Sequence, residues 1–118
     1  MSKTAYKRST RVADQIRMEV AEMIELELKD PRIGFATVTQ VDLRPDLRSA
    51  HVRVSVAGEK EAHEGTLEGL RSATGYLRHE LSLRLRLRRV PELVFVLDHS
   101  AEDMHRIESL LDQANKGS

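Results

Sequence analysis

The chain has 118 residues, with 19 Lys and Arg balanced by 19 Asp and Glu, so its formal net charge is zero. It contains no Cys, which excludes disulfides, thiolate metal sites and a cysteine nucleophile and fits a reducing, cytoplasmic setting. Apolar runs never exceed a handful of residues, which excludes a membrane span and a signal-peptide core, and the length suits one domain with one core.

The balance conceals a segregated charge. Residues 1–17 carry five cations against one acid, 18–30 one against five, 31–58 four against two, 59–70 one against four, 71–91 six against one, and 92–118 two against six. Potentials act over a Debye length of roughly 8 Å, so a neutral chain can still present a basic face. The competing reading is a set of solvated helix faces, each with its own counter-charges.

Residues 1–8 read as a mobile polar segment. From Ser9 or Thr10, both suitable N-caps, apolar residues recur at Val12, Ile16, Val20, Met23, Ile24 and Leu28. This is helical spacing, and it ends before Asp30-Pro31 because a residue preceding proline is pushed out of the α region. Phe35 to Leu43 is rich in β-branched residues and reads as a strand. Arg44-Pro45-Asp46 supplies a turn, and Ala50, Val52, Val54 and Val56 alternate with His51, Arg53 and Ser55. The two strands are expected to form an antiparallel hairpin with a polar outer face.

After Gly58, helical spacing returns at Leu67, Leu70 and Ala73, is interrupted at Gly75, and resumes at Leu77, Leu81 and Leu85. A glycine inside a helix costs about 1 kcal/mol, so a helix, a kink and a second helix are expected. The stretch Leu81 to Arg88 also alternates with period two; it reads as helix to about Leu85 and extended beyond. Leu93 to Leu97 reads as a strand buried on both faces. A last helix starts at Ser100, with Glu102 and Asp103 in its first turn and an apolar face of Met104, Ile107, Leu110 and Leu111. The predicted architecture is a two-layer α+β domain over 9–113, order α-β-β-α-kink-α-β-α, with helices on one face of three strands and a short tail at 114–118.

Little here suits catalysis. The five histidines are dispersed. In Asp98-His99-Ser100, neighbouring residues of an extended segment point to opposite sides and cannot form a triad. His99 and His105 are six apart, which is not the spacing of two ligands on one helix face, and no phosphate loop or GxGxxG is present. No cofactor and no enzymatic activity are expected.

The basic constellation remains. Arg71, Arg78, Arg84, Arg86, Arg88 and Arg89 fall within 71–91 beside a single acid, Glu80. Arginine presents a planar fork that grips phosphate bidentately, and a helix restarting after Gly75 would expose anion-binding amides. In the competing reading, Arg84 and Arg86 only complement a helix C-terminus. With four aromatic residues in the chain, recognition of structured RNA through backbone and shape suits it better than base stacking.

Two blocks carry a family resemblance: Ser72-Ala73-Thr74-Gly75-Tyr76-Leu77-Arg78, and Arg84-Leu85-Arg86-Leu87-Arg88-Arg89-Val90-Pro91-Glu92-Leu93-Val94-Phe95. With Arg8, Arg11-Val12-Ala13, Ile16, Asp98-His99-Ser100 and the Arg106-Ile107 to Leu110-Leu111 ending, they resemble the ribosome-binding factor A family, small-subunit assembly factors, over Arg8 to Leu111. The resemblance implies a type II KH-like fold with a three-stranded mixed sheet. It replaces the usual GxxG loop by an Ala-x-Gly kink, here Ala73 and Gly75 within Ser72, Ala73, Thr74 and Gly75. It further implies a monomer that binds 16S rRNA on the free 30S subunit, assists late maturation including 5′-end processing, supports cold adaptation and is released by a maturation GTPase. Longer members carry a C-terminal extension, whereas this sequence stops soon after Gln113, so a function of that tail is expected to be missing. Arg71, Arg78, Arg84, Arg86, Arg88 and Arg89 are the expected principal phosphate contacts, Arg8 and Arg11 auxiliary ones, and Arg44, Arg48 and Arg53 weaker ones. Gly75 is expected to set the kink, so that Gly75→Val would impair RNA binding, folding or both. The alternative is a protein–protein adaptor that binds no RNA.

Overall fold

The computed structural model describes residues 3–116, with side chains over 8–100 and 104–114. The order is α1 (Lys3–Leu26), β1 (Ala36–Leu43), β2 (Ser49–Val56), α2 (Lys60–Ser72), α3 (Thr74–Arg84), β3 (Glu92–Leu97) and α4 (Ser100–Lys116). The strands form one sheet in the order β1-β2-β3, with β1 antiparallel and β3 parallel to the central β2. This is the expected α+β arrangement with a mixed sheet. The parallel step is reached through α2 and α3, which cover the same face of the sheet as α1.

The alternation of β2 is realised fully. Ala50, Val52 and Val54 are completely buried, while Arg53 on the other face is exposed. Over them lie Ile16, Val20 and Met23 of α1, Leu70 of α2 and Leu77 and Leu81 of α3, with Phe95 from β3. β1 keeps its inward residues Val38 and Val41 three apart because Thr39 is an extra residue, a bulge between Val38 and Gln40. The bulge is tied down: Thr39 Oγ1 donates to Asp98 Oδ2 at 2.5 Å, and Asp98 Oδ1 accepts from the Ser100 amide at 2.9 Å.

Four expectations are corrected. α1 begins at Lys3 rather than at a cap on Ser9 or Thr10, since no Pro or Gly interrupts the segment before them; residues 1–2 and 117–118 lie outside the described residues. α4 continues to Lys116, past the start expected for the tail. β3 is not covered on both faces: Leu93 and Phe95 are buried, but Val94 and Val96 lie on the open side of an edge strand and are half-buried. The apolar face of α4 has no cover among the described residues, since Met104, Ile107, Leu110 and Leu111 are each 52–59% exposed. The side chains of Glu102 and Asp103, expected in the first turn of α4, lie outside the described residues. With α4 packed closely on no other described element, the radius of gyration is 17.1 Å, against roughly 13 Å for a compact 100-residue domain.

Two tests follow from this packing. A Cβ at Gly69 would fall 2.6 Å from Ile33 Cγ1, where α2 meets the loop leading into β1. Gly69→Ala should therefore lose about 1–3 kcal/mol in urea unfolding through overpacking, despite its better helix propensity. The Ser100 and Thr39 hydrogen bonds hold the Asp98 carboxyl down at about 2, from an ordinary 3.8. The fold thus favours the charged form, and its stabilisation is present above pH 4 and fades as pH falls from about 4 to 2. Asp98→Asn should flatten the decline of the urea midpoint in that window, and an unchanged acid limb would show that this carboxylate contributes nothing.

Candidate nucleic-acid interface

The break between α2 and α3 falls at Ala73, whose φ of −89° and ψ of −1° end one helix and begin the next. Its amide lies 3.1 Å from both Gly69 O and Leu70 O, and Thr74 Oγ1 donates to Arg71 O at 2.9 Å. Gly75 is already inside α3, with nothing within 4 Å of where a Cβ would stand. Its missing side chain is therefore a matter of surface, not of internal packing. Arg32, which sequence reasoning passed over, reaches this break: it is held by Asp30 at 2.6 Å and donates to Ser72 Oγ at 3.1 Å. The Asp-Pro-Arg spacing, with the Arg32 amide also bonded to Asp30 Oδ1, is its only sequence signal.

The six arginines of 71–91 divide into two sets. Arg84 is enclosed by carboxylates, at 2.7 Å from Glu27, 3.1 Å from Glu80 and 3.4 Å from Glu19. The hydrogen bond from Arg84 and a second, 2.5 Å one from Tyr76 hold the Glu27 carboxyl below its ordinary range, and the same contact with Glu27 raises the Arg84 pKa. The spacing that puts Arg84 beside Glu80 is visible in sequence; the approach of Glu19 from α1 and of Glu27 from the turn that follows it is not. Arg78 is a staple: its guanidinium donates to Val90 O at 3.0 Å and to Pro91 O at 3.2 Å. Arg71, Arg86, Arg88 and Arg89 are exposed, and none forms an ion pair among the described residues.

The loop after α3 presents most of these free cations. Leu85 closes the helix, and Arg86 takes a φ of +51°, a left-handed turn that a non-glycine residue adopts at a cost of about 1–2 kcal/mol. The Glu92 amide then bonds Arg48 O at 2.8 Å, so the loop arrives beside the β1–β2 turn. Arg44 and Arg48 stand at that turn, and Arg44 donates to His51 Nδ1 at 2.8 Å. Arg8 and Arg89, distant in sequence, line one groove together with Leu47 and Leu87. Arg11 lies one turn along α1, lining the adjoining hollow. Arg53 is set apart on the open sheet face, 3.1 Å from Asp42. Among the described residues no three His, Asp or Glu side chains converge as a metal site, and no helix is long and apolar enough to cross a membrane.

The family model for ribosome-binding factor A matches residues 8–111, most of the sequence. The chain belongs to the ribosome-binding factor A family. A family member from Natranaerobius thermophilus is 46% identical over 110 residues, 93% of this chain and 84% of that protein. The crystal structure of the Thermus thermophilus factor superposes with a TM-score of 0.70 at 33% identity, covering 78% of this chain and 97% of that one. A Thermus thermophilus homology model, fitted into a cryo-EM map of a complex with the 30S subunit, matches with a TM-score of 0.62 at 34% identity, over 74% of this chain and 91% of that one.

Gly75→Val gives a direct test of the kink surface. The space in front of Gly75 is open, so the variant should unfold within about 0.5 kcal/mol of the parent, Val and Gly having comparable helix propensities. Weaker small-subunit binding by the stable variant would show that a partner approaches the backbone here; unchanged binding would show that none does.

Proposed function

We propose that this chain is a non-enzymatic assembly factor that binds 16S rRNA on the free small ribosomal subunit. It acts in late maturation, including 5′-end processing, and in growth in the cold, and leaves with the help of a maturation GTPase. The observation that carries the RNA contact is the sorting of the arginines. Among the described residues Arg71, Arg86, Arg88 and Arg89, joined by Arg8, Arg11, Arg44 and Arg48, lack carboxylate partners, while Arg84 and Arg53 have them. Free guanidinium groups gain most from phosphate, because nothing must be released for them to bind it. Membership of the family, and the relative fitted on a 30S subunit, support the choice of partner.

The test is cosedimentation with free small subunits across a salt series. Affinity should fall steeply with salt, and Arg88→Ala with Arg89→Ala should lower the slope of log K against log salt by about two, roughly one for each phosphate left without its cation. Arg84→Ala should leave the slope unchanged and lower stability instead. A salt-independent association, or binding of no RNA at any salt, would replace this reading by that of a protein adaptor.

A further inference from the structure

β1 is an edge strand, and an open groove of about 780 Å³ runs between it and residues 8–13 of α1. The space lies in the range that accepts a small-molecule-sized group. Val12, Val41, Leu43, Leu47 and Leu87 give it aliphatic walls. Its charge is mainly positive. Arg8 and Arg89 line it and Arg11 lines the adjoining hollow, all without an ion pair among the described residues. Asp42, which also lines the groove, is paired with Arg53 at 3.1 Å, Asp14 in the hollow is paired with Arg17 at 3.0 Å, and Asp46 at the turn accepts from the Arg48 amide at 3.0 Å. An aliphatic slot bordered by unpaired guanidinium groups complements a ligand that carries a flat apolar body between anionic groups. A nucleotide lifted out of a stack has that chemistry, and its unpaired base seeks apolar cover. An extended peptide could pair with the free strand edge, but nothing in that pairing would use three arginines.

We infer that the groove between α1 and β1 binds one unstacked nucleotide of single-stranded RNA, its base against Leu47 and Leu87 and its flanking phosphates on Arg8, Arg11 and Arg89. This rests on the RNA-binding reading above and deepens it, giving Arg8, Arg11 and Arg89 of that set a base-binding groove away from the helix break at Ala73.

The experiment is a fluorescence titration of the whole chain with a single-stranded RNA octamer carrying 2-aminopurine at its centre. The same octamer with an abasic site there is titrated beside it, and small-subunit cosedimentation is run in parallel. The base should change its emission on binding, and the abasic octamer should bind about tenfold more weakly, a difference of about 1.4 kcal/mol. Leu47 is half-exposed at the hairpin turn with a φ of +59°, a conformation that Asp tolerates well. Leu47→Asp should therefore stay folded by circular dichroism and bind the parent octamer only as well as the abasic one, and Leu87→Ser should do the same. Equal affinity for the two octamers, or unchanged binding by both variants, overturns the groove while normal cosedimentation leaves the RNA reading standing. Loss of cosedimentation together with no octamer binding overturns both. An extended peptide that occupies the groove while the octamer does not bind overturns the nucleotide in favour of strand addition.

Discussion

The burial of one face of β2 is the constraint on which the rest of the structure depends. Ala50, Val52 and Val54 are sealed beneath three helices, and β2 is paired along both edges. A register slip of one residue would drive His51, Arg53 and Ser55 into that apolar interior, so the pairing is fixed by the cost of desolvating them. A fixed register also fixes the ends of the strands. Ser49 must stand opposite Glu92, and this sets the loop that leaves α3 beside the hairpin turn. The meeting of the arginines of 86–89 with those at 44 and 48 is therefore a consequence of core packing.

Zero net charge then acquires a structural meaning. Of the acids that follow Arg17 in α1 and its exit, Glu22 and Glu25 are exposed to solvent, and Glu19 and Glu27, with Glu80, neutralise the one arginine set between them. The α1–α3 seam is left with more carboxylate than guanidinium, so a polyanion is repelled from it. Where the 86–91 loop meets the β1–β2 turn the arginines outnumber the acids and, among the described residues, form no ion pair. The two regions act on one ligand in opposite directions, so a strong phosphate contact at one end need not become indiscriminate binding all over the molecule.

The elements that read clearly in the sequence are those whose signal is local. The alternation of 50–56 and the 3.6-residue spacing of α1 both name their buried residues, because burial of one face imposes the period. The helix break is legible too, but two residues away from where it falls: Gly75 lowers helix propensity, whereas the backbone turns at Ala73. What does not read is pairing across the fold. Arg84 looks like its neighbours Arg86 and Arg88, and only the packing of α1 and its exit turn against α3 sets Glu19 and Glu27 around it. The period of α4 gives its apolar face correctly, yet a period says nothing of what covers a face, and here Met104, Ile107, Leu110 and Leu111 meet solvent.

Arg78 shows how a residue of the right type in the right block can order a loop instead of standing as a free cation. By holding the carbonyls of Val90 and Pro91, it ties the end of the 86–91 loop to α3, while the Glu92 amide ties the following residue to Arg48. Pro91 is itself buried, and the left-handed turn at Arg86 fixes the start. A loop restrained at both ends presents Arg88 and Arg89 from a backbone already ordered before any phosphate arrives. Three arginines on a free tail would have to surrender backbone entropy of about 1–2 kcal/mol per residue when they bind. Here that cost is met during folding by hydrophobic burial, and only side-chain freedom remains to be lost. The same core that hides β2 thus sets the affinity available at the basic end.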